Sequence, residues 1–166
     1  MDKSIFYLTI NARRGERFTV NDGDGKKVGS SPSRFWPSLW NTFLGWLIAV
    51  PTSDELTIMD NVLLVESKLR FMDTKYRIVV NHQPVALLTS KNFRGSDLIN
   101  VKNKRYALKK GLGDTHFTVL ADAQTPVVTI QKQLGTADKY QLTISTDFGI
   151  LTGIGLAIAI LAGQGK

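Results

Sequence analysis

The stretch Asp147-Phe-Gly-Ile-Leu-Thr-Gly-Ile-Gly-Leu-Ala-Ile-Ala-Ile-Leu-Ala-Gly-Gln-Gly-Lys166 carries no charge over residues 148–162, and Thr152 is the sole polar side chain within that span. A helix that is apolar on every side belongs inside a large core or inside lipid. The apolar run is about 15 residues, short of the roughly 20 that cross a bilayer. Asp147 reads as an N-cap, and Gly163 and Gly165 read as stops. Gly149, Gly153 and Gly155 each weaken a free helix by about 1 kcal/mol relative to alanine. They also let neighbouring backbone come close. The expectation is a helix over residues 148–162 enclosed by a wall. A membrane anchor is the competing reading of the same residues.

Working outward, nearly everything before that stretch reads as strands. Ile5 to Ile10 and Phe18-Thr-Val-Asn come first, with Asp22-Gly-Asp-Gly-Lys as a turn. Asp22 and Asp24 do not make a calcium loop, because Lys26 and Lys27 follow where further acids would be needed. From Glu55 onward short runs rich in β-branched and aromatic residues recur. They begin at Leu56, Val62, Leu69, Tyr76, Val85, Tyr106, Phe117, Val127 and Tyr140. Turn clusters such as Asn81-His-Gln-Pro, Gly111-Leu-Gly-Asp and Gly135-Thr-Ala-Asp separate them. Tyr76-Arg-Ile with Pro84-Val-Ala-Leu-Leu is echoed by Phe117-Thr-Val with Pro126-Val-Val-Thr-Ile, and more faintly by Phe18-Thr-Val with Val28-Gly. Repetition of one hairpin over so short a chain fits a single meandering barrel.

Residues 30–51 break the pattern. All three tryptophans fall here, and Phe35, Leu39, Phe43 and Leu47 share one helical face. Trp36, Trp40 and Leu44 lie beside that face, so its apolar arc is very wide. Pro37 suits a first helical turn, and Pro51 closes the run. Tryptophan favours positions with one wet and one apolar side. Trp36, Trp40, Phe43 and Trp46 are therefore candidates for membrane or partner contact. A helix plugging a barrel end or packing on a partner chain is the alternative.

The chain has 166 residues, 43% hydrophobic and 21% charged, and is expected to form one domain over residues 1–166. It has no cysteine, which removes disulfides and thiolate metal sites. The opening Met1-Asp-Lys-Ser-Ile-Phe-Tyr-Leu lacks signal-peptide features, so a cytoplasmic location, peripheral at the membrane, is expected. The net charge is +7 and uneven: residues 67–110 hold eleven bases against Asp73 and Asp97, an excess of nine. Lys102, Lys104, Arg105, Lys109 and Lys110 form the densest cluster. Such a stretch calls for an anionic partner such as lipid headgroups, nucleic acid or an acidic protein. A basic surface without a partner is the plain alternative.

No catalytic constellation stands out. His82 and His116 are the two histidines, and both fall in or beside turns. There is no Gly-x-Ser-x-Gly nucleophile elbow and no complete phosphate-binding glycine motif. No enzyme activity, metal or cofactor is expected. The basic stretch interleaves Phe71, Tyr76, Phe93 and Tyr106, as single-strand nucleic-acid binders do, without a recognisable nucleic-acid motif.

Taken together, the repeated hairpins, Val127-Val-Thr-Ile-Gln-Lys, Tyr140-Gln-Leu-Thr-Ile-Ser-Thr-Asp147 and the apolar tail resemble the tubby C-terminal-like superfamily. That group includes tubby domains, phospholipid scramblases and LURP-one-related proteins. The resemblance runs over about residues 17–163 in layout and is closest over 117–162. It implies a closed antiparallel β-barrel of about a dozen strands around a hydrophobic C-terminal α-helix, and a lipid-facing or membrane-associated role; with no catalytic constellation, a non-catalytic module is expected. The Trp-rich helical insertion near residues 35–50 departs from that layout. The expected partner is an anionic lipid or membrane surface. A protein-interaction scaffold, with a protein partner at the Trp-rich segment, and single-stranded nucleic-acid binding are the alternatives.

Overall fold

The computed structural model describes residues 2–10, 16–32, 52–69, 73–91, 97–111, 113, 115–122, 124–135 and 138–164. Twelve strands form among them: β1 (Lys3–Ile10), β2 (Glu16–Asp22), β3 (Lys27–Pro32), β4 (Thr52–Ile58), β5 (Asn61–Leu69), β6 (Asp73–Val80), β7 (Gln83–Lys91), β8 (Leu98–Val101), β9 (Lys104–Lys110), β10 (His116–Ala121), β11 (Thr125–Lys132) and β12 (Lys139–Ser145). Each strand pairs antiparallel with its neighbours in sequence, and β1 pairs with β12, so the sheet closes into a barrel. Side chains alternate across the wall. Phe6, Leu8, Val20, Leu56, Leu63, Ile99, Val119, Leu142 and Ile144 point inward and are buried.

The last element is α1 (Ile150–Gln164). A 3-10 turn over Thr146–Phe148 precedes it, so Asp147 lies inside that turn instead of capping the helix. Gly149 makes the bend with φ 96°, a conformation that favours glycine. The helix starts two residues later than expected and runs through Gly163. Leu156, Ala157, Ile158 and Ala159 are all completely buried. Four consecutive helical residues point about 100° apart, so the helix is enclosed on every side. It packs against β5, β6, β7 and β12. A Cβ on Gly153 would stand 2.7 Å from Ile144 of β12, and one on Gly155 would stand 2.5 Å from Ile78 of β6. Two residues apart means about 200° apart on the helix, so these glycines face opposite walls. They make the helix thin enough for the barrel.

The two barrel ends differ. At one end the strands are joined tightly. Met59–Asp60, Asn81–His82 and Lys102–Asn103 each hold both residues at positive φ, the geometry that matches strand twist in two-residue hairpins. The expected Asp22 turn is there too: Asp22 Oδ1 accepts from the Asp24 and Lys26 amides at 3.1 and 2.9 Å. At the other end β1, β3, β5, β7, β9 and β11 finish, and the residues that follow each fall partly or wholly outside the described ones. The Trp-rich insertion expected near 35–50 falls between β3 and β4 in sequence and lies outside the described residues. The strand expected at Leu69-Arg-Phe-Met falls largely outside the described residues. Leu69 ends β5, and residues 70–72 lie outside the described residues.

The sequence echo has a structural counterpart. Register shifts follow Val20 in the β2–β3 hairpin, Ile78 in β6–β7 and Val119 in β10–β11. Each sits two residues after a buried aromatic: Phe18, Tyr76 and Phe117. Bulges bend a strand and raise its twist, which curvature into a barrel requires. Three bulged hairpins spaced four strands apart distribute that bending around the wall.

Candidate functional site

The five bases singled out from the sequence do not converge on a pocket. Lys102 occupies the β8–β9 turn at the tight end, with Lys104 opening β9 beside it. In β9, Tyr106 and Leu108 face the core, so Arg105, Ala107 and Lys109 face outward. Lys110 lies at the opposite end of the same strand. Six residue steps from Lys104 to Lys110 span about 20 Å at 3.3 Å per residue. The bases therefore form a line along one strand.

Lys110 is already engaged. Its Nζ lies 3.0 Å from Asp97 Oδ2, and the Asp97 side chain is only 7% exposed. The carboxylate also bears on Tyr76, whose hydroxyl is pushed above its ordinary pKa first by burial and then by the Asp97 charge. Tyr76 Oη would lie 3.5 Å from a Cβ on Gly163, at the last turn of α1. Lys110 and Asp97 thus belong to the structure around the helix end. Lys102, Lys104, Arg105 and Lys109 make no ion pair with another described residue.

The charge of the wall divides the barrel in two. Strands β7–β12 contain seven bases, Lys91, Lys104, Arg105, Lys109, Lys110, Lys132 and Lys139, and no acid. Strands β1–β6 contain six bases and six acids, among them Asp54, Glu55, Glu66 and Asp73. In the second group Arg17 pairs with Asp54 at 2.7 Å and Arg77 with Glu66 at 2.5 Å. The strands of one half of the wall are neutral in sum, and those of the other carry bases alone, two of which, Lys110 and Lys132, pair with Asp97 and Asp138 outside the strands. Sequence windows missed this because the bases of residues 67–110 straddle both halves. Lys68 and Lys75 belong to the neutral side, whereas Lys132 and Lys139 fall outside the window.

The remaining candidates separate. His82 sits exposed in the β6–β7 turn at the tight end, whereas His116 starts β10 at the other end, with Nε2 3.1 Å from Thr118 Oγ1. The two imidazoles cannot share a ligand. No group of three or more metal-ligating side chains occurs among the described residues. No helix among them is long and apolar enough to cross a membrane. Trp36, Trp40, Phe43 and Trp46 lie outside the described residues. Of the aromatics interleaved with the basic stretch, Tyr76 is buried in the core and Tyr106 packs edge-on against Phe148 with ring centres 5.1 Å apart. Neither offers a face for stacking bases.

A closed antiparallel barrel of twelve strands with one C-terminal helix is thus the architecture, with a basic half-wall as its main surface feature. No family model matches the chain, and no curated protein or solved structure matches it.

Proposed function

We propose that the protein is a non-catalytic module that binds anionic membrane surfaces through the basic half of its barrel. The observation that carries this reading is the wall from β7 to β12, with seven bases and no acid, beside a neutral half. An extended line of bases suits a charged sheet of headgroups better than a single small anion. Each base close to an anionic leaflet contributes about 1 kcal/mol before screening. The barrel around a C-terminal helix also supports the resemblance to the tubby C-terminal-like superfamily, whose tubby domains and scramblases act at lipid. We assign Trp36, Trp40, Phe43 and Trp46 to apolar contact with the same membrane or with a partner chain.

Sedimentation with neutral and anionic vesicles tests the reading. The protein is expected to bind anionic vesicles, and binding is expected to fall with salt. Changing Lys102, Lys104, Arg105 and Lys109 together to Gln removes about 4 kcal/mol at about 1 kcal/mol per base, up to about a thousandfold at low salt. Lys110 is left in place because its loss would strand the Asp97 carboxylate. Trp36→Ala with Trp40→Ala is expected to lower the salt-resistant part alone. Tighter binding of single-stranded oligonucleotides at the same ionic strength would favour the nucleic-acid alternative. Binding of neither would leave a scaffold for a protein partner.

A further inference from the structure

On the outer wall, four apolar residues line up across four strands. Leu98 of β8 is 46% exposed and stands directly opposite Ala107 of β9. Ala107 also stands opposite Leu120 of β10, and Leu120 opposite Pro126 of β11. Ala107 and Pro126 are exposed, and Leu120 is half-buried. Cross-strand neighbours on one face are in contact, so the four side chains form a continuous stripe perpendicular to the strands. Three strand spacings make it about 14 Å long. Arg105 and Lys109 flank Ala107 two residues to either side, about 6.6 Å each way along the strand. None of the strands involved contains an acid.

We infer that this stripe is the face laid onto the membrane, so that the barrel docks side-on through β8–β11. The inference rests on the lipid-binding reading above and adds which wall makes contact and how. At Ala107 the stripe is bounded on both sides by cations, which matches the boundary between acyl chains and anionic headgroups. Leu98, Ala107, Leu120 and Pro126 enter the apolar layer while Arg105 and Lys109 meet phosphates. The occupant is lipid and not a peptide strand, because a closed barrel has no free edge to extend. The outer face of a closed barrel is also convex. Isolated exposed leucines are ordinary on soluble proteins; here the exposed apolar residues adjoin one another across strands, with cations beside Ala107.

The absence of native cysteine allows a clean test. Leu98→Cys, Ala107→Cys and Thr57→Cys are each labelled with a polarity-sensitive fluorophore and mixed with phosphatidylcholine vesicles containing phosphatidylserine. Thr57 is exposed on β4, five strands from β9, and serves as the control. The probes at 98 and 107 are expected to shift to the blue on binding, and the probe at 57 to stay unchanged. Vesicle binding by sedimentation with silent probes at 98 and 107 would overturn the side-on docking while leaving the lipid reading intact. No sedimentation with vesicles would sink both. A blue shift produced by a soluble acidic peptide and not by vesicles would assign the stripe to a protein partner and overturn the inference. Leu98→Asn gives a second readout: unchanged melting, because the site is exposed, with a smaller salt-resistant fraction of vesicle binding.

Discussion

Glycines decide whether the helix fits. Gly155→Ala would gain about 1 kcal/mol in helix propensity. The new Cβ, however, would press into Ile78 and Leu63, at 2.5 and 3.1 Å, inside a closed wall. Overpacking of that kind costs about 1–3 kcal/mol, so the variant is expected to melt lower. Gly163→Ala should behave oppositely, since its nearest neighbour is Tyr76 Oη at 3.5 Å, an ordinary contact. Scanning calorimetry of the two variants checks the contrast, and equal shifts would refute it. The sequence showed glycines in an apolar helix but not which neighbours they face, because those neighbours come from strands about 10 to 90 residues away in the chain. Tyr76 gives a pH prediction. Its hydroxyl is raised in the folded state, so folding favours the neutral form. The stabilisation is complete below the unfolded pKa of 10.0 and is lost as pH rises through the folded value. Alkaline denaturation should therefore be blunted in Tyr76→Phe, as followed by circular dichroism from pH 9 upward.

Helix and wall are expected to stand or fall together. Ile158 is completely buried, so Ile158→Asp places an unpaired carboxylate at the centre of the barrel. A cost of several kcal/mol is expected, read as a large drop in the denaturant midpoint. An unchanged midpoint would mean that the helix is not central. Most elements were legible for the same reason that makes this prediction: apolar alternation in strands and an all-apolar helix demand each other. The strands that read faintly, as at Val28-Gly, or not at all lack that signal. Lys27–Pro32 holds one large apolar residue, Val28, and its inner face includes Gly29, where a Cβ would stand 2.6 Å from Ile58. Close backbone packing fixes β3, and no hydrophobic pattern records it. Leu98–Val101 has four residues, too few to show alternation, and is held by pairing with β7 and β9. Asp147 misled because a good cap residue precedes the apolar run, while the chain needs an extra turn and Gly149 to swing from the wall into the interior.

For the whole molecule, placement of charge should matter more than its amount. Lys104, Arg105 and Lys109 changed together to Gln remove three charges from the basic half. Lys3, Lys68 and Lys75 changed to Gln remove three from the neutral half. The first set is expected to weaken binding to anionic vesicles by at least tenfold more than the second at low salt, given about 1 kcal/mol per contacting base. Equal losses would show that net charge alone governs attraction. The uneven charge was visible in the sequence, but its division between two half-walls was not, because it depends on which strands lie side by side after closure. That closure has a further consequence, for how the protein is made. Lys3 pairs with Ser145, 142 positions later. At about 5–20 residues per second, a ribosome needs about 7–28 s to pass from one to the other. Throughout that interval Ile5, Phe6, Tyr7 and Leu8 sit on an unpaired strand edge, open to other nascent chains. The yield of folded protein is then expected to depend on elongation speed and on the spacing of ribosomes on the message, as well as on the stability of the finished barrel.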